Sequence, residues 1–270
     1  MSGKQSDGVG QTLAFRIERA SLASWPALEQ TETDAWILRF ADGYTKRANS
    51  VTPTRDDAEP TLELIAACET AYANRGLPCL FRIPSFLRLG TLDQMLAQRG
   101  YVDVNHTLVL CRLIGGSAPH RVLARQIEST SIARWLEAFA LLRQLEPGLI
   151  DRQASIMERM DGPVCCALRR GPDGVPLGYA LGVISDALLG VFGLYVAKDA
   201  RRQGVGRALL DHLLFWGRET ECDAAYLQVE RDNRAARTLY ENAGFSCLYA
   251  YRYRMQPMPQ TKTDAASQVG

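Results

Sequence analysis

Residues 198–219 read KDARRQGVGRALLDHLLFWGRE. Three arginines and two glycines fall within the seven residues from Arg201 to Arg207. The chain then turns apolar, with Val205, Leu209, Leu213 and Trp216 at helical spacing. Glycine suits backbone that must bend sharply or approach a ligand, and arginine presents phosphate with a rigid fork of donors. A helix start leaves N–H groups without partners and carries partial positive charge, so it attracts an anion. Together these features describe a cradle for phosphate. Leu209 stands where a dinucleotide fingerprint wants its third glycine, and no GxxxxGK[ST] run occurs, so neither a dinucleotide nor a nucleoside triphosphate is the natural occupant.

Strand and helix signals alternate on both sides of this turn. LLGVFGLYVA (188–197) reads as a buried strand feeding it, AAYLQVE (224–230) as the next strand, NRAARTLYENA (233–243) as a helix, and SCLYAYRYRM (246–255) as a closing strand. Upstream, RVLARQIE (121–128) reads as a strand, and residues 131–145 and 151–160 as helices. PVCCALRR and VPLGYALGVIS form a hairpin about GPDG (171–174). The N-terminal half is less regular. Residues 35–51 suggest a hairpin turned at Asp42–Gly43. A helix ends at Gly76, 78–83 is a strand, 91–100 a helix, and 101–113 a long strand.

The two halves end alike. LDQMLAQRGYVDVNHTLVL and ARTLYENAGFSCLYAYRYRM both read helix, Gly–aromatic, long strand, with Gly100–Tyr101 matching Gly244–Phe245. This suggests one unit used twice, the first copy lacking the glycine turn. IGGSAPH (114–120) is the best linker, giving domains 1–115 and 116–258 followed by a disordered tail, 259–270. The first dozen residues also read as disordered.

Composition excludes several classes. The 270 residues carry a net charge of +1, and both halves are close to charge balance, so neither is a basic nucleic-acid module. Cys68, Cys79, Cys111, Cys165, Cys166, Cys222 and Cys247 are odd in number and lack CxxC spacing. They read as reduced thiols of a cytoplasmic protein, and His106, His120 and His212 bring no metal-site spacing. No signal peptide and no membrane span are expected.

YVAKDARRQGVGRALL followed by LQVERDNRAARTLYENAGF resembles the GNAT superfamily of N-acetyltransferases over about 135 residues. Arg201, Gly204 and Gly206 meet the R/Q-x-x-G-x-G/A turn. Asn233, Ala236, Leu239, Tyr240, Gly244 and Phe245 meet N-x-x-A-x-x-L-Y-x-x-x-G-F. The N-terminal half is similar to that of two-domain members whose first copy is degenerate. The resemblance implies an α/β chain of two tandem GNAT-type domains, each a mixed, mostly antiparallel sheet flanked by helices, with only the second catalytic.

It further implies acetyl-CoA as cosubstrate, with no metal. The amides of Gln203, Gly204, Val205, Gly206 and Arg207 would face its pyrophosphate. Leu194, Tyr195 and Val196 would face the pantetheine arm and the thioester, where the strand splays from its neighbour. Arg202 stands where the family often has glycine; it either adds a phosphate contact or crowds the turn. The Arg207 side chain points to the cofactor or to solvent. Asn233 caps a helix, faces the cofactor, or does both. Tyr240 is the family's proton donor to the departing thiolate, or core packing. The family's usual glutamate is missing from 190–197, leaving Glu230, Asp186 or bulk water to take the amine's proton. TKRANS (45–50) is either a solvated face or, through Lys46, Arg47 and Asn49, an anion-binding wall between the halves. The expected acceptor is a primary amine of a small molecule. A protein N-terminus or lysine, and a non-catalytic acyl-CoA-binding module, are the alternatives.

Overall fold

A computed structural model describes residues 3–33, 35–55, 58, 60–114 and 127–257, with the side chains of 3–9 and 11 excepted. The linker 114–120 beyond Ile114, most of the expected strand 121–128, and the tail lie outside the described residues. In chain order the elements are α1 (Gly3–Ser24), β1 (Glu29–Glu32), β2 (Trp36–Phe40), β3 (Val51–Pro53), α2 (Leu62–Ala73), β4 (Leu80–Pro84), α3 (Leu92–Gln98), β5 (Val102–Leu113), β6 (Glu128–Thr130), α4 (Ile132–Arg143) and α5 (Pro147–Met157). They continue as β7 (Val164–Arg170), β8 (Pro176–Ser185), β9 (Leu188–Val196), α6 (Val205–Glu219), β10 (Ala224–Glu230), α7 (Arg234–Glu241) and β11 (Ser246–Met255).

Local chemistry sets the helix boundaries. Thr61, Ser131 and Asn233 each cap a helix, their side-chain oxygens accepting from Leu64 N (3.1 Å), Arg134 N (3.3 Å) and Ala236 N (3.2 Å). Pro147 starts α5, where its missing N–H leaves no vacancy in the helix ladder.

All the strands join one sheet, ordered β1-β2-β3-β4-β11-β5-β10-β9-β8-β7-β6. Only β3–β4 and β9–β10 are parallel. The middle of this order is an exchange. β5, from the first half, pairs antiparallel with both β10 and β11; β11, from the second half, pairs with both β4 and β5. Each half thus lends its last strand to the other. The repeat seen in sequence holds in the backbone: Gly100 (φ 82°) and Gly244 (φ 83°) make the same left-handed turn into β5 and β11, and Tyr101 and Phe245 behind them are both buried.

The first dozen residues depart from the expected disorder, because α1 begins at Gly3. Ala14, Ile17 and Ala20 are buried in a core with Phe192 of β9, Tyr179 and Leu181 of β8, and Tyr249, Tyr251 and Tyr253 of β11. Arg16 donates to Asp186 Oδ2 (3.0 Å) and Asp223 Oδ2 (2.9 Å) in the second half, while Glu18 receives the fully buried Arg82 of the first (2.9 Å). One helix therefore fastens both halves. Its opening residues are small and polar in sequence, which hides the helix from a sequence reading.

Along β10 the side chains alternate: Tyr226 enters the α1/α4 core, while Ala225 and Leu227 enter a second core under α6. A third core, with Phe40, Tyr72, Phe81 and Tyr101, fills the first half.

Candidate active site

The expected splay is present at β9. Its parallel pairing with β10 runs from Leu188↔Ala224 to Val191↔Leu227 and stops there. On the other side a bulge intervenes: between Leu181↔Phe192 and Tyr179↔Tyr195, β8 has Ala180 alone, while β9 has Gly193 and Leu194. Gly193 takes φ 57°, a conformation an L side chain resists. The Ala180 carbonyl accepts from Trp135 Nε1 of α4 at 3.0 Å. From Phe192 onward, the edge of β9 that faced β10 has no strand partner, and Leu194, Tyr195 and Val196 lie half-buried along it.

This open edge runs into the glycine turn. A 3-10 turn at Lys198–Ala200 leads to Gly204, which caps α6 with φ 80°. Ala208 N makes the first helical bond, to Gly204 O at 2.9 Å. The N–H groups of Val205, Gly206 and Arg207 therefore have no carbonyl one turn back, and they carry the positive end of the helix dipole. Arg201 and Gln203 brace the loop, with Arg201 Nε donating to Val196 O (3.3 Å) and Gln203 Nε2 to Asp199 O (2.7 Å). A Cβ on Gly206 would sit 3.3 Å from Leu239 Cδ2 and 3.5 Å from Val196 Cγ2. Glycine there lets α6, β9 and α7 converge. Arg202 takes φ 60°, the left-handed region that explains glycine at this place in the family.

Two expected roles are narrowed. The Arg207 guanidinium is engaged away from the turn: its Nε donates to both oxygens of buried Asp211 (2.9 Å each), and its Nη1 to Asn242 O (3.1 Å). Only its backbone amide faces the cradle, a correction to the side-chain reading. Asn233 caps α7 and is exposed.

Tyr240, on α7, is buried with its ring edge-on to Phe245 (6.2 Å between centroids). No hydrogen bond to a described residue holds its hydroxyl. Burial alone pushes its pKa up to about 12.

On the other side of the splay lies a cleft of about 390 Å³ between the two halves. Gly193 and Gln228 line it together with Glu230, whose Oε1 accepts from Asn105 Nδ2 of β5 at 3.1 Å. Asp186 is not there. It follows β8 at the opposite end of β9 and is bound to Arg16, so it is removed as a base candidate. The stretch 45–50 is no strand but a 3-10 turn at Lys46–Ala48, and it puts Lys46 and Arg47 in the cleft wall. Asn49 is buried and structural: its Oδ1 accepts from Ala41 N (2.7 Å) and Gly43 N (3.1 Å), and its Nδ2 donates to Tyr44 O and Thr45 O (2.8 Å each).

Arg143, Gln153, Tyr251 and Trp25 also line the wall, and no motif pointed to them. They lie on elements distant in the chain, so no local sequence signal groups them. Among the described residues no group could hold a metal ion, and no helix is long and apolar enough to cross a membrane. All seven cysteines are free. An approach of a cysteine toward a histidine, Cys165···Ser129···His212 (3.7 and 3.0 Å), lies outside the cleft, and burial raises that thiol's pKa.

The comparisons agree with this geometry. The family model described as "Probable histone acetyltransferase Rv0428c C-terminal" matches residues 14–254. An uncharacterized N-acetyltransferase, YobR, of Bacillus subtilis is 32% identical over 89% of this chain and 98% of its own. Among solved structures, a GCN5-related N-acetyltransferase from Kribbella flavida shares the fold with a TM-score of 0.67 at 18% identity, covering 92% of this chain and 97% of that one. A tandem GNAT protein from the clavulanic acid biosynthesis pathway superposes with a TM-score of 0.57 at 12% identity, over 96% and 97% of the two chains. With its splayed β9, its glycine turn and its paired halves, the chain belongs to the GNAT family of N-acetyltransferases.

Proposed function

We propose that this protein transfers an acetyl group from acetyl-CoA to a primary amine of a small molecule. The observation that carries the reading is the open edge of β9, which joins an amide-lined turn at one end to the cleft between the halves at the other. The residues fit the cosubstrate. The amides from Gln203 to Arg207 offer donors to a pyrophosphate, with Arg201 and Arg202 exposed beside them. Leu194, Tyr195 and Val196 offer backbone groups to an extended arm and, in the transition state, to the thioester oxyanion. The cleft is the right size for a small acceptor and is walled by both halves.

The cosubstrate supplies an activated acetyl group whose C–S bond breaks as the N–C bond forms. Glu230, fixed by Asn105, is placed to take the amine's proton, directly or through water. An amine near pKa ~10.4 is about 99.9% protonated at pH 7, so this step matters. Tyr240, on α7, donates a hydrogen bond to the departing sulfur in this reading.

Thermal denaturation tests the cosubstrate. Acetyl-CoA at a hundred times its Kd should stabilise the fold by ~2.7 kcal/mol, while NAD and ATP should not. Equal shifts for all three, or none with acetyl-CoA, would overturn the reading. Amine-dependent release of free thiol then separates an enzyme from a binding module.

A further inference from the structure

We infer that the acceptor is a small acidic amine, one whose carboxylate or phosphate group lies a few bonds from the nitrogen, and that Arg47, with Lys46 and Arg143, holds that group. This names the acceptor class within the acetyl-transfer reading and rests on it.

The charge of the cleft is the first observation. Lys46, Arg47 and Arg143 line it against a single carboxylate, Glu230, which is already engaged by Asn105. None of the three cations makes an ion pair with a described residue. Arg47 is held for recognition: its guanidinium carbon stands 5.3 Å from the ring centres of both Trp25 and Phe192, and its Nε is buried without a partner. Behind it lies Arg39, fully buried, whose guanidinium donates to the carbonyls of Leu22, Trp25 and Arg47 and, among the described residues, to no carboxylate. Burial, aided by Arg82 and Arg47, lowers its pKa to about 10, so it stays charged at neutral pH and adds to the positive field on this floor.

Unfilled hydrogen-bonding capacity is the second observation. Buried Gln153 uses one end of its amide on the Tyr44 hydroxyl (2.8 Å), and Gln228 uses one end on the Tyr251 hydroxyl (2.8 Å). The other end of each amide is buried without a partner, and both residues line the cleft. An unmade bond in such a place is costly, so a polar ligand that reaches both amides is favoured there.

Position is the third. Phe192, under Arg47, is the residue at which the open edge of β9 begins. An anion on Arg47 thus lies close to the point of acetyl delivery, while Glu230 faces it from β10. The anionic group and the amine therefore belong to one short molecule. A polycationic amine or a basic peptide would meet three cations against a single carboxylate.

The test compares matched acceptors: β-alanine and glutamate against their amides, phosphoethanolamine against ethanolamine, and spermidine as the polycation. The acidic member of each pair should exceed its neutral partner by roughly ten- to a hundredfold in kcat/KM, the range of a charged hydrogen-bonded contact. Whether the carboxylates or phosphoethanolamine lead identifies the source of the anion. Arg47→Gln should bring that ratio toward one without reducing the thermal shift caused by acetyl-CoA. Arg143→Gln, at an exposed position, should do so in part and keeps the test open if Arg47→Gln folds poorly. Neutral amines or spermidine used as well as the acids, or ratios untouched in both variants, would overturn the inference. Should no amine turn over, calorimetry with CoA present reads the site directly. Acids that bind where their amides do not uphold the inference while the acetyl-transfer reading falls; equal or absent binding refutes it.

Discussion

Replacing Tyr240 by phenylalanine should lower kcat by roughly ten- to a hundredfold, with little change in the KM for acetyl-CoA. The phenol's pKa stands at about 12 because the ring is buried, whereas a free thiol titrates near ~8.5. A gap of roughly 3.5 units makes complete proton transfer about 5 kcal/mol uphill, at ~1.36 kcal/mol per unit. Desolvation of the thiolate in the same pocket raises its pKa too and narrows that gap. The contribution expected of Tyr240 is therefore a hydrogen bond to developing charge, worth ~1.5–3 kcal/mol. Sulfur in the intact thioester is a weak acceptor, so the bond forms mainly in the transition state and appears in kcat. Since no described residue holds the hydroxyl, its removal strands no partner, and the ring packing on Phe245 survives. The melting temperature should stay nearly constant. Steady-state kinetics on any accepted amine, with melting curves of both proteins, decide the matter. A variant with full kcat would show that the thiolate leaves unaided, and one in which only KM rises would make Tyr240 a binding group.

Three further outcomes follow from the same geometry. Gly206→Glu adds a Cβ 3.3 Å from Leu239 and a negative charge among the amides, so acetyl-CoA affinity should fall more than ~tenfold in a folded protein; an unchanged KM would contradict the cradle. Arg202→Gly relieves a left-handed φ of 60° and should stabilise the fold by about 0.5–1 kcal/mol; a lower melting temperature would refute the strain, and a simultaneous loss of acetyl-CoA affinity would reveal a phosphate contact. A fragment spanning 116–258 should not fold by itself, because it lacks β5, which pairs with both β10 and β11, and α1, which packs on β8 and β9; a cooperative melting transition in the fragment would refute this.

The glycine turn, the α7 run ending in Tyr240, and most strands were legible because each depends on neighbours in sequence. Helical periodicity over 205–216, the cap at Asn233 and the Gly–aromatic turn at 244–245 are local events, written within a dozen residues. The matching of 92–110 with 236–255 likewise needed no knowledge of the sheet. What required the tertiary structure was everything set by pairing at a distance. Nothing in β5 announces that it pairs outside its own half, since an antiparallel edge accepts any strand of matching register and burial. Helix α1 was missed because its burial comes from both halves at once. Arg47, Arg143, Gln153 and Glu230 share a cleft only because α1, the β2–β3 loop, α4, α5 and β10 meet there. Asp186, near the turn in sequence, lies at the far end of β9. The place proposed for the cosubstrate is a local backbone motif and so is written in the sequence. The place proposed for the acceptor is a gap between packed elements, and only long-range packing decides which side chains line it.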